Sequence, residues 1–95
     1  MAHCPPEQLE DIADVLQELR ALPGLAEKKP GVFYIKSDSF LHFHVKDGQR
    51  YAHVKTGRRG GWAEVPLDFD ATAAARKTFL TTVRRHQQAY MRPRV

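Results

Sequence analysis

Residues 40–55 read Phe40-Leu41-His42-Phe43-His44-Val45-Lys46-Asp47-Gly48-Gln49-Arg50-Tyr51-Ala52-His53-Val54-Lys55. Two runs rich in β-branched and aromatic residues flank Asp47-Gly48, a dipeptide that favours a two-residue type I′ hairpin turn. Such a turn opposes Lys46 to Gln49 and sets every pair beyond it. Leu41 then faces Val54, Phe43 faces Ala52 and Val45 faces Arg50 on one side of the ribbon. Phe40 with Lys55, His42 with His53 and His44 with Tyr51 share the other side. Side chains alternate strictly along a strand, so the mostly apolar first set faces the core and the second points away.

Upstream, Val32–Lys36 reads as a further strand. A turn at Ser37–Asp38 puts Val32 and Tyr34 on the core side. It puts Phe33 near His42 and Ile35 near Phe40 on the outer side. Downstream, Thr56–Gly61 carries three glycines and two arginines and reads as a mobile loop. Trp62–Pro66 reads as a short fourth strand, held to an edge by Pro66.

Helical patterns flank this β region. Pro5 and Pro6 suit a helix entrance, and Leu9, Ile12, Leu16, Leu19 and Leu22 follow at helical spacing until Pro23-Gly24. Leu25–Pro30 reads as a basic-tipped loop. Asp70 reads as the N-cap of a last helix that runs from Ala71 to about Tyr90, with Ala75, Phe79, Val83, His86 and Tyr90 on one side. The expectation is a single α+β domain over residues 1–95. It has an N-terminal helix, an antiparallel meander of three or four strands and a C-terminal helix, with both helices on one sheet face. Residues 1–6 and 91–95 are expected as flexible ends.

Composition limits the function classes. Charged residues are 27% and apolar residues 42% of the 95, which is globular rather than disordered. No apolar run is long enough to span a membrane, and no basic-then-apolar leader opens the chain. Cys4 is the only cysteine, so no internal disulfide forms. A cytoplasmic setting is the expectation. Net charge is +4, unevenly placed: residues 1–27 carry six acids against Arg20 alone, while residues 28–95 carry fourteen Lys/Arg against five acids. The simplest reading lays the acidic helix beside the basic half.

The outer hairpin face holds the chemistry. Phe40, His42, His44, Tyr51, His53 and Lys55 form the candidate ligand-binding surface of a small binding or interaction module. With Phe33 and Ile35 added, the face is too apolar to stay fully solvated, so a loop, a ligand or a second copy of the chain covers it. A homodimer through this face is one expectation. The alternative is a metal-dependent enzyme. His42 and His44 stand two apart on one strand with His53 opposite, and three imidazoles with an open fourth position suit zinc or another divalent metal. Glu64 is the nearest carboxylate to orient a ligand or act as a base. His3 at the N-terminus offers a separate copper or nickel chelate with the terminal amine, and is read as part of the flexible end.

A third reading is a nucleic-acid-associated protein. Arg58 and Arg59 lie between glycines, and Arg84 and Arg85 lie on the last helix. No known nucleic-acid-binding motif accompanies them, and the acidic first helix breaks up a basic surface. The glycine-rich loop lacks the Gly-Lys-Ser/Thr ending of a phosphate loop.

Over roughly residues 22–85, the run Pro30-Gly31-Val32-Phe33-Tyr34, then Phe40-Leu41-His42-Phe43-His44, Asp47-Gly48 and Tyr51-Ala52-His53-Val54-Lys55 resembles small bacterial proteins of unassigned function. The Val54-Lys55 strand, the Trp62-led segment and the final helix together resemble the YjbR/MmcQ-like proteins. The chain is shorter than that family and lacks its middle helix. The resemblance implies an α+β fold and no activity.

Overall fold

The computed structural model describes residues 4–92. His3 and residues 93–95 lie outside the described residues. Two 3-10 turns, Pro6–Gln8 and Glu10–Ile12, lead into α1, Ala13–Ala21. Five strands follow: β1 Leu25–Lys29, β2 Val32–Ile35, β3 Asp38–Lys46, β4 Gln49–Lys55 and β5 Trp62–Pro66. Helix α2, Ala73–Met91, closes the chain. The strands form one antiparallel sheet in the order β1-β2-β3-β4-β5.

The β3–β4 hairpin has the register its turn demands. Leu41 pairs Val54, His42 pairs His53, Phe43 pairs Ala52 and His44 pairs Tyr51. Asp47 and Gly48 take φ of 54° and 76°, the left-handed pair that a type I′ turn requires. Leu41, Phe43, Ala52 and Val54 are buried in one cluster with Val15, Leu16 and Leu19 of α1 and Phe79, Val83 and Tyr90 of α2. Phe43 stacks on Phe79 at 5.7 Å between centroids.

The sheet has five strands where three or four were expected, because Leu25–Lys29 pairs with β2 instead of looping. Its lysines and half-exposed pattern hide the strand in the sequence. An edge strand packs little, and lysine on an edge discourages further pairing.

The β2–β3 connection also departs from expectation. The turn is Lys36–Ser37, flanked by the pair Ile35 and Asp38, and Lys36 takes φ of 57°. The register then shifts between Tyr34, which pairs Ser39, and Phe33, which pairs Leu41. Phe40 is the extra residue of this β-bulge. The bulge turns Phe33, Ile35 and Phe40 into the core and sets Val32 beside His42. Each such burial contributes about 1.5–3 kcal/mol, which outweighs the lost ladder bond.

The helix boundaries shift for local reasons. Gln8 carbonyl, which an α-helix would offer to the Ile12 N–H, accepts from Arg50 Nη1 at 2.8 Å. Ile12 N–H turns to Leu9 carbonyl instead, so the helix entrance stays 3-10. Thr72, not Asp70, caps α2: its hydroxyl accepts from Ala75 N–H at 3.1 Å. Asp70 sits at φ 58° and donates its N–H to Asp11. Ala75 is exposed and His86 half-buried, and Gln87 joins Phe79, Val83 and Tyr90 inside because its amide donates to Pro23 carbonyl at 2.6 Å.

Cys4 is buried, and its N–H donates to Phe43 carbonyl, so the packed domain reaches further back than Pro6. Burial pushes its thiol above the usual range, which makes it a poor nucleophile. The acidic segment does lie against basic residues of the second half. Asp11 pairs Arg50, Asp14 pairs Arg76 and Glu18 reaches Arg84.

Candidate metal centre

Alternation places His42, His44 and His53 on the sheet face turned away from the apolar cluster. His44 is buried, and His42 and His53 are half-buried. One donor nitrogen from each lies within 4.8 Å of the others. The ring centroids are 4.4 Å apart for His42 and His44, 4.7 Å for His44 and His53, and 5.5 Å for His42 and His53.

The rim comes from the neighbouring strands. Tyr51 stands beside His44 and His53, at 5.6 and 5.2 Å between centroids. Trp62 pairs Lys55 across the β4–β5 ladder and brings its indole to 4.8 Å from His42. The Lys55 ammonium lies over that indole at 4.7 Å, a cation–π contact. Glu64 pairs directly with His53, and its Oε2 is 3.8 Å from His53 Nε2.

The expected surface is therefore assembled with three losses and one addition. His42, His44, Tyr51, His53 and Lys55 share the face. Phe40 leaves it, fully buried with its ring edge-on to Tyr90 at 5.7 Å. Phe33 and Ile35 leave it with Phe40. Trp62 joins it, and Glu64, the carboxylate expected near the histidines, stands beside His53. Their positions depend on how Thr56–Gly61 closes, and no turn dipeptide marks that offset. The loop is closed by Thr56 N–H donating to Gly61 carbonyl and Gly60 N–H donating to Gly57 carbonyl.

The arginines of the third reading are scattered. Arg58 Nε donates to Tyr90 carbonyl and Arg84 reaches Glu18, while Arg59 and Arg85 are exposed. A surface groove lies elsewhere, along α1 and α2, with Asp14, Glu18, Arg76, Lys77 and Arg84 among its lining residues. Asp14 pairs Arg76 and Glu18 reaches Arg84, so most of the charge lining the groove is offset.

No helix among the described residues is long and apolar enough to cross a membrane. Comparison with known proteins finds no matching family model, no matching curated protein and no matching solved structure.

Proposed function

We propose that this chain is a small binding module whose ligand is a divalent transition metal, held by His42, His44 and His53. The observation that carries the reading is the gathering of three imidazole donors within 4.8 Å on one hairpin. Imidazole suits zinc, copper and nickel. Metal–nitrogen bonds of about 2.0–2.1 Å place tetrahedral donors about 3.3 Å apart. Reaching that spacing from 4.8 Å requires side-chain rotation, while β3 and β4, each paired on both sides, hold the backbone that carries the rings.

Trp62 is the only tryptophan and touches His42, so it reports on the site. Titration with Cu²⁺ is expected to quench its fluorescence at one equivalent. The His42→Ala/His53→Ala double variant is expected to lose that stoichiometric step and to purify without zinc. Absence of both bound zinc and stoichiometric quenching in the unaltered protein would remove the metal reading.

The exposure of Trp62, 40%, favours a wider use of the same face as a contact surface, with Tyr51, Lys55 and Trp62 around the ion. Self-association through it predicts a metal-dependent homodimer. Sedimentation with zinc and with chelator checks this, and a monomer in both conditions rejects it.

A further inference from the structure

We infer that Glu64 is the fourth ligand of this centre, so that the metal is held in a closed four-coordinate shell instead of presenting an open position to water. The inference rests on the three-histidine reading and deepens it.

The register supplies the first argument. Glu64 is the direct cross-strand partner of His53, so both side chains rise from the same face at the same level of the sheet. Distance supplies the second. Donors around a tetrahedral ion with bonds of about 2.0–2.2 Å stand about 3.3–3.4 Å apart. Glu64 Oε2 lies 3.8 Å from His53 Nε2, only slightly beyond that spacing.

The third argument is freedom of movement. The Glu64 side chain is 73% exposed, and His53 is its single ion-pair partner among the described residues. Its rotatable bonds can swing the carboxylate inward without breaking a buried contact. The other flanks are taken by bulky rings: Trp62 against His42, and Tyr51 against His44. A dication among three neutral imidazoles, with the Lys55 ammonium nearby, also gains from one carboxylate.

Ligand closure has a functional consequence. Catalytic zinc keeps a position for water or substrate, whereas four protein ligands hold the ion without one. The centre then serves to bind, carry or sense the metal, and it is not built for hydrolysis.

Cobalt substitution tests this directly. The Co²⁺ protein is expected to show an intense tetrahedral visible spectrum that azide does not change. Co²⁺-loaded Glu64→Ala is expected to take up azide with a spectral shift, because the vacated position opens. Zinc affinity of Glu64→Ala and Glu64→Gln is expected to fall about tenfold or more. Equal azide uptake by the unaltered protein and Glu64→Ala, with unchanged zinc affinity, overturns the inference and leaves a three-histidine site. Failure of the unaltered protein to bind cobalt or zinc at all removes the histidine reading, and Glu64 with it. Position 64 is exposed, so folding of both variants, checked by circular dichroism, is expected to be unaffected.

Discussion

Arg50 grips both carboxylate oxygens of Asp11, Nη1 to Oδ1 at 2.6 Å and Nη2 to Oδ2 at 2.9 Å. The guanidinium is otherwise enclosed. Nε donates to Leu67 carbonyl, Nη1 to Gln8 carbonyl and Nη2 to Asp68 carbonyl, and the ring of Phe69 lies 4.6 Å from Cζ. One side chain on the core side of β4 thus ties the N-terminal turns to the segment between β5 and α2.

Removal of this hub is expected to be costly. Arg50 is 1% exposed, so Arg50→Ala leaves a cavity and three carbonyls without their donor. The Asp11 carboxylate stays partly solvated, so the expected loss, about 2–4 kcal/mol, comes mainly from lost packing and the unpaired carbonyls. Urea denaturation of Arg50→Ala against the unaltered protein measures it, and a loss below 1 kcal/mol would contradict the packing described.

The same pair sets an acid dependence. The hydrogen bonds from Arg50 hold the Asp11 carboxyl below its usual range, against the opposing effect of partial burial. A carboxyl lowered in the folded state stabilises the fold above its unfolded value of about 3.9, and that stabilisation is lost as pH falls through the lower folded value. Glu27 adds in the same direction. Burial raises its value, but Arg20 and the Gly31 N–H more than offset that. Stability is therefore expected to fall below about pH 4. Asp11→Asn is expected to flatten the fall, as read from urea midpoints across the acid range.

Two glycines with left-handed φ separate strain from crowding. Gly31 takes φ 77°, and a Cβ there would stand 2.8 Å from Leu9 Cδ1. Gly48 takes φ 76° with open space around it. Gly48→Ala is expected to cost about 1 kcal/mol from backbone strain alone. Gly31→Ala is expected to cost about 1–3 kcal/mol more, because the crowded neighbour is a fully packed leucine. Equal melting temperatures for the two variants would refute the difference.

Capping offers a contrast between neighbours. Thr72→Ala removes the acceptor for Ala75 N–H at the start of α2 and is expected to cost about 1 kcal/mol. Asp70→Gly relieves a positive φ and removes no cap, so it is expected to be neutral or mildly stabilising. Thermal melts of the two variants rank them.

Metal binding is expected to compete with protons. Imidazoles bind metal only when neutral, so each ligand histidine that must deprotonate makes affinity rise with pH. Zinc titrations at several pH values are expected to show weakening toward acid in the unaltered protein. The His42→Ala/His53→Ala double variant is expected to show neither the affinity nor its pH dependence.

Legibility differed from one part of the chain to another. The three histidines were legible because one turn dipeptide determines six cross-strand pairs. A slip of one residue would expose Leu41, Phe43 and Val54, which the hydrophobic effect forbids. Strand β1 was not legible, since Ala26, Glu27, Lys28 and Lys29 show neither apolar alternation nor a turn dipeptide, and only pairing with β2 makes them a strand.

By itself the sequence determined the β3–β4 register, the two sides of that hairpin and the presence of a helix before and after the strands, because each depends on short-range spacing. Only the tertiary structure decided that Phe33 and Phe40 turn inward through a bulge, that Asp11 reaches Arg50, and that Trp62 rims the histidines. Those outcomes come from contacts between distant residues competing for burial and charge, and no local pattern records which contact wins.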